Sequence, residues 1–162
     1  MAKAPRSALT MATIITAVRA CLEQDGLRYE LDEQGQALRF GFRTEAHRWT
    51  CIAQSDEQRR RLAFFSIVLA PVERERRGAV MELLSRINWG LFLGSFDIEL
   101  DTGRVRLRTS VDFGEEPPTT GLVQPLIHAN LATMSTNMTA IDRVMGGQAS
   151  PAEALRERDG PP

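Results

Sequence analysis

Two histidines and two cysteines are the side chains of this 162-residue chain best suited to nucleophilic, proton-transfer or metal chemistry near neutral pH. Their spacing gives such chemistry little to work with. His47 and Cys51 are four residues apart; in a strand they share a face but lie about 13 Å apart along the chain, beyond direct proton transfer. Neither His47 nor His128 has a second histidine or a cysteine at ligand spacing, so no metal site is expected. The serines lack a nucleophile-elbow pattern. Gly90 with Gly94, and Gly146 with Gly147, match neither a phosphate-binding loop nor a dinucleotide fingerprint. Cys21 and Cys51 are too few for a disulfide framework and fit a reducing compartment, as small buried hydrophobes. No catalytic residue, metal or cofactor is assigned, and the chain is not expected to be an enzyme.

Polyanion binding is the next chemistry to weigh. Lysines and arginines number 20 against 21 acids, a net charge of −1, so no basic excess marks the chain as a nucleic-acid binder. Two local tracts are basic. In Glu73-Arg74-Glu75-Arg76-Arg77 the acids are interleaved, which is the pattern of a solvated helix face. Arg104, Arg106 and Arg108 fall on a strand whose hairpin partner carries Asp97 and Glu99. If Leu100 stands opposite Val105, Glu99 faces Arg106 and Asp97 faces Arg108, and each opposite-charge pair contributes about 0.2–1 kcal/mol.

The elements that hold these residues follow from periodicity. Met11, Ile14, Ile15, Val18, Cys21 and Leu22 recur at helical spacing, so residues from about 8 to 25 form a helix, closed by Gly26. Lys3 and Arg6 precede this segment, but Thr10, Thr13 and Thr16 interrupt its apolar run; an export signal is not expected, and the protein is placed in the cytoplasm. Leu27, Tyr29 and Leu31 then alternate, as do Leu38, Phe40 and Phe42, which pairs Leu31 with Leu38. A third strand spans about 48–54. The fourth, Leu62 to Leu69, is apolar at nearly every position, which suits a central strand covered on both faces. Pro71 begins a helix with Val80, Leu83, Leu84 and Ile87 on its stripe, and the hairpin around Asp101-Thr102-Gly103 follows. The closing helix, Leu122 to Met145, steps Ile127, Leu131, Met134, Met138, Ile141, Met145, the spacing of a coiled-coil seam or of a helix laid across the sheet. Ser150-Pro151-Ala152-Glu153 is a capping box that starts a short last helix. The fold is therefore a single α+β domain over 1–155, an antiparallel sheet with helices packed on it, with 156–162 as a flexible tail. Its order is helix, three or four strands, helix, two strands, helix.

The run from Met81 to Phe113, MELLSRINWGLFLGSFDIELDTGRVRLRTSVDF, resembles the YbjN family, and so does the later GG followed by SPAEAL. That family carries the label of a bacterial sensory transduction regulator and has no assigned active site. Its fold is similar to that of type III secretion chaperones, homodimers that bind extended client segments. The resemblance implies a non-catalytic, chaperone-like protein-binding module, a regulator of a stress or signalling pathway with a protein partner and no membrane. Direct transcriptional regulation and small-molecule sensing are the alternatives. Candidate partner or dimer residues are Trp89, Leu91 and Phe92 beyond the middle helix, and Met134, Met138 and Met145, whose flexible side chains suit an irregular surface. Trp89 is also readable as a plug sealing the corner between helix and hairpin.

Overall fold

The computed structural model describes residues 13–160, so the expected helical residues 8–12 lie outside the described part. Thr13 opens the first helix, α1 (Ile14–Gln24), its hydroxyl accepting from the Thr16 N–H at 3.3 Å. The Glu57 carboxylate accepts from the N–H groups of Ile14 and Ile15, both at 3.1 Å. An acid there satisfies donors that have no partner within the helix and complements the positive end of its dipole.

Six strands follow, interrupted by one helix: β1 (Glu30–Leu31), β2 (Ala37–Arg43), β3 (Arg48–Asp56), β4 (Arg61–Ile67), α2 (Arg77–Trp89), β5 (Ser95–Ile98) and β6 (Val105–Asp112). Two helices close the chain, α3 (Thr120–Met145) and α4 (Pro151–Asp159). All strand pairs are antiparallel in the order β1-β2-β3-β4-β6-β5. Four strands therefore precede the middle helix. The first contributes only two residues because Tyr29 leaves the ladder: its hydroxyl donates to Glu23 at 2.6 Å and accepts from Arg19 at 2.9 Å. The predicted pairing of Leu31 with Leu38 holds. Residues 156–159, assigned by sequence to the tail, belong to α4, and Arg158 donates to the Asn137 side chain at 2.7 Å.

One face of the sheet carries the core. Leu38, Phe40, Trp49, Cys51, Ala53, Leu62, Phe64, Phe96 and Leu107 bury on it, together with the apolar stripes of α1, α2 and α3. The α3 stripe lies across this face, so the seam-like spacing is sheet packing. Asn130, fully buried on the same helix, ties the layers together. Its amide lies 3.3 Å from the carbonyls of Phe64 and Leu107, while Ser66 donates to its carbonyl oxygen at 2.6 Å. The Trp49 indole donates in turn to Ser66 at 3.0 Å. Every buried side-chain polar atom among the described residues has a partner, as a polar network inside a core requires.

The opposite face departs from expectation. β4 alternates between fully buried and partly exposed residues, with Ala63, Phe65 and Ile67 on the open side. The apolar run of Leu62 to Leu69 was expected to be covered twice and is covered once.

The hairpin register also differs from the predicted one. Ile98 stands opposite Val105 and Asp97 opposite Arg106, a shift of two residues that keeps the same side chains inward but leaves Leu100 exposed in the turn. The cause is Gly103. Its backbone sits at φ 76°, its carbonyl accepts from the Val72 N–H at 2.8 Å, and a Cβ there would fall 2.2 Å from the Val72 carbonyl oxygen. Only glycine fits this approach, and it fixes where the turn ends.

Candidate partner surface

The chemistry-bearing side chains are all tied into the framework. His128 Nε2 lies 2.7 Å from Asp25 Oδ2, joining α3 to the end of α1. His47 Nε2 lies 2.9 Å from Thr139 Oγ1, and its Nδ1 lies 3.2 Å from Asp142 Oδ2. Hydroxyl, imidazole and carboxylate in that order are the parts of an acyl-transfer triad. The setting is wrong for one. Thr139 and Asp142 lie inside α3, where backbone N–H groups are spent on intrahelical bonds and none is left to stabilise an oxyanion. The cluster is a clamp between the β2–β3 loop and the closing helix. Burial raises the Asp142 carboxyl above its ordinary value, partly offset by His47. Sequence could not reveal this cluster, since His47 is 92 residues from Thr139 and further still from Asp142.

Both cysteines are unpaired and buried. Burial pushes the Cys51 thiol up to about 12, against smaller opposing effects of the Ser66 and Trp49 hydrogen bonds. A thiol so placed is a core hydrophobe, since the reactive form is the thiolate. The hairpin arginines are answered by an acid: Arg106 Nε lies 3.3 Å and Arg108 Nε 3.9 Å from Asp97 Oδ2. Glu99, expected opposite Arg106, instead accepts from the Thr102 hydroxyl at 2.6 Å.

What remains is an exposed apolar surface at the end of α2 and the outer edge of β5. Trp89 and Phe92 are 94% and 105% exposed, and Leu93, Leu100 and Met81 are exposed beside them. Trp89 is therefore not a plug. Leu83, Leu84 and Ile87 already fill the corner between α2 and the sheet, leaving the next turn of the helix to project outward. Leu91 is partly buried and packs on the core, anchoring the loop from below.

The loop is held at both ends. The Asn88 side chain donates to the Phe96 carbonyl at 2.9 Å and accepts from the Phe96 N–H at 2.8 Å, occupying backbone groups at the edge of β5. At Gly94, with φ 81°, a Cβ would lie 2.5 Å from the Arg108 carbonyl oxygen, so the chain passes too close to β6 for any other residue. Met81, Leu84, Ser85, Asn88, Ile98 and Leu100 line a shallow groove of about 330 Å³ beside the loop. Asp97 also lines this groove, which is mixed in polarity, and exposed aromatic anchors beside it form the pattern of an interaction hot spot.

Of the residues singled out by sequence, Trp89, Leu91 and Phe92 gather here. Met134 and Met138 do not. They are buried under the sheet as part of the α3 stripe, and Met145 is partly buried against the same core. Their periodicity marked the packed side of the helix, which the sheet covers.

No helix among the described residues is long and apolar enough to cross a membrane. No curated protein matches the chain. Three solved structures are similar in fold. YbjN from E. coli aligns at 14% identity and a TM-score of 0.55, covering 82% of this chain and 95% of that one. A chain of the ExsC–ExsE complex aligns at 17% identity and 0.51, covering 76% and 89%. A chain of the HopA1–SchA chaperone–effector complex aligns at 11% and 0.49, covering 74% and 88%. Residues 15–143 match the family model described as "Putative bacterial sensory transduction regulator": the chain belongs to the YbjN family.

Proposed function

We propose that this protein is a non-catalytic, chaperone-like binding module that acts as a homodimer in the bacterial cytoplasm and regulates a stress or signalling pathway through a protein partner. The observation that carries the reading is the display of Trp89 and Phe92 in solvent on a loop pinned by Asn88 and Gly94. Two large aromatics so exposed are a standing loss unless another protein covers them. The YbjN family assignment, and the likeness in fold to a chain of the two-protein ExsC–ExsE assembly, support the same conclusion. Two unpaired cysteines support a reducing compartment.

Light scattering tests it directly. The chain is expected at about 36 kDa, twice its 18.1 kDa mass. Trp89→Ala combined with Phe92→Ser is expected to weaken dimerisation by at least about 30-fold, the equivalent of losing one hot spot of about 2 kcal/mol. The melting temperature of the isolated monomer should hardly change, because neither side chain packs in the core. A native chain that stays monomeric at every concentration, and behaves identically with both aromatics removed, would overturn the dimer assignment.

A further inference from the structure

We infer that the open face of the sheet is a second docking surface, one that takes an acidic, amphipathic segment of another protein. The inference rests on the binding-module reading but uses a different part of the molecule. Strand register sets the face out in rows. Arg39, Ile52, Phe65 and Arg108 form one; Gly41, Thr50, Ile67 and Arg106 form the next; Ala37, Gln54, Ala63 and Ser110 form a third. Ile52, Phe65, Ile67 and Ala63 make an apolar centre interrupted by Thr50 and Gln54. Arg39, Arg43 and Arg48 flank it on the β2 side, with Glu30 opposite Arg39, and Arg106 and Arg108 on the β6 side, with Asp97 opposite Arg106. Ile52, Phe65 and Ile67 are only partly buried, and none of them belongs to the core or packs against it.

Two features select the occupant. First, the β4 run is written for burial on both faces, and the described residues supply cover for one. Second, the charges around the apolar centre are not balanced evenly, although Glu30 stands opposite Arg39 in the ladder. On the β6 side Arg106 and Arg108 share Asp97, and the Arg106 guanidinium lies over the Phe65 ring at 4.8 Å. On the β2 side, among the described residues, Arg39, Arg43 and Arg48 form no ion pair. Arg43 and Arg48 even stand directly opposite each other in the ladder, an arrangement that is destabilising on its own. Carboxylates from a partner would relieve it.

A second copy docked face to face would bring the same surplus of arginine and supply no further acid, since a two-fold contact presents the same patch from both sides. The first twelve residues of the chain carry Lys3 and Arg6 and no acid, so they too have the wrong charge. A nucleic acid fits less well than a peptide. The centre of the face is aliphatic apart from Phe65, which is already capped by Arg106, whereas single-stranded nucleic acids are held on open aromatic platforms. An amphipathic segment with apolar residues on one side and Asp or Glu along its flanks matches both the centre and the border.

The test is selection from a display library of random peptides on the immobilised full chain, followed by affinity measurement on the charge-reversed double variant Arg39→Glu, Arg48→Glu. Both positions are exposed and outside the core, so the variant should stay folded, with a small fall in melting temperature because Arg39→Glu stands opposite Glu30 in the ladder. Enriched peptides are expected to combine Asp or Glu with large apolar residues, and to bind the variant at least about tenfold more weakly. Ile67→Ser, which trims the apolar centre without adding charge, should weaken the same peptides. The inference is overturned if no peptides are enriched, if those enriched lack acids, or if they bind the variants unchanged. Displacement by a single-stranded oligonucleotide in preference to peptide would assign the face to nucleic acid. Loss of the light-scattering dimer in the arginine variant would assign it to a second copy. Failure at Trp89 and Phe92 leaves this result standing, because the aromatic loop is not part of the face under test.

Discussion

At the scale of single residues, the determinant that sequence concealed best is Asn130. Its helix was legible from Ile127, Leu131 and Met134, but an asparagine between them reads as a solvent-side residue. In the structure it is fully buried and meets β4, β6 and Ser66 at once. Nothing in its neighbours along the chain records those partners, which come from strands more than 20 residues away. Trp89 reads two ways in sequence, as partner residue or as plug, and only the packing of Leu83, Leu84 and Ile87 shows that the corner is already full. Replacing Asn130 with leucine keeps the volume but removes the acceptor for Ser66 and the donor to two strand carbonyls. A loss of about 1–3 kcal/mol is expected, read as a lower urea midpoint with an unchanged slope. An unaltered midpoint would mean that the network is incidental.

At the scale of elements, alternation and helical spacing located the six strands and α1, α2 and α3 among the described residues, although α2 begins at Arg77 and not at Pro71. The capping box located α4, and one hydrophobic set pinned the register of β1 with β2. What they could not locate was an end set by a contact distant in sequence. The β5–β6 turn obeys the expected parity, yet its position is decided by Gly103 meeting Val72, a residue before α2. The same contact explains why Asp97, and not Glu99, answers Arg106. Gly103→Ala should therefore destabilise by about 2 kcal/mol or more, because a strained backbone conformation is compounded by a clash with backbone. Gly35→Ala is the matched comparison: φ there is 67°, but nothing lies within 4 Å of the added methyl, so only about 1 kcal/mol of conformational strain is expected. Equal melting temperatures for the two variants would show that Val72 does not set the turn.

At the scale of the whole molecule, fold class was legible because the helices and the core face of the sheet carry ordinary amphipathic patterns. Of the two candidate docking surfaces, the aromatic loop was legible in part, through Trp89, Leu91 and Phe92, and the open sheet face was not. Each consists of apolar residues that the chain's own pattern would bury and that its own elements leave uncovered. Charge, by contrast, is distributed so that acid should loosen the entire fold. Four exposed carboxyls are held below their ordinary values: Asp56 chiefly by the Arg59 N–H, Asp112 by the Gly114 N–H and then Arg61, Glu153 by Ser150, and Asp159 by Arg158. A depressed carboxyl contributes stability that is present above its unfolded pKa and lost as pH falls through its folded pKa. Asp142 runs the other way. Burial raises its pKa, so its contribution is complete below the unfolded value and is lost as pH rises through the folded one. With four groups against one, the melting temperature is expected to fall as pH drops below about 5, through the unfolded carboxyl values of about 4 and on through the lower folded ones. Asp112→Asn keeps an oxygen for the Gly114 N–H while removing the charge, so its melting temperature should fall less over that interval than the native chain's. A native curve that is flat or rises toward acid would place the balance with Asp142 and the His47 clamp.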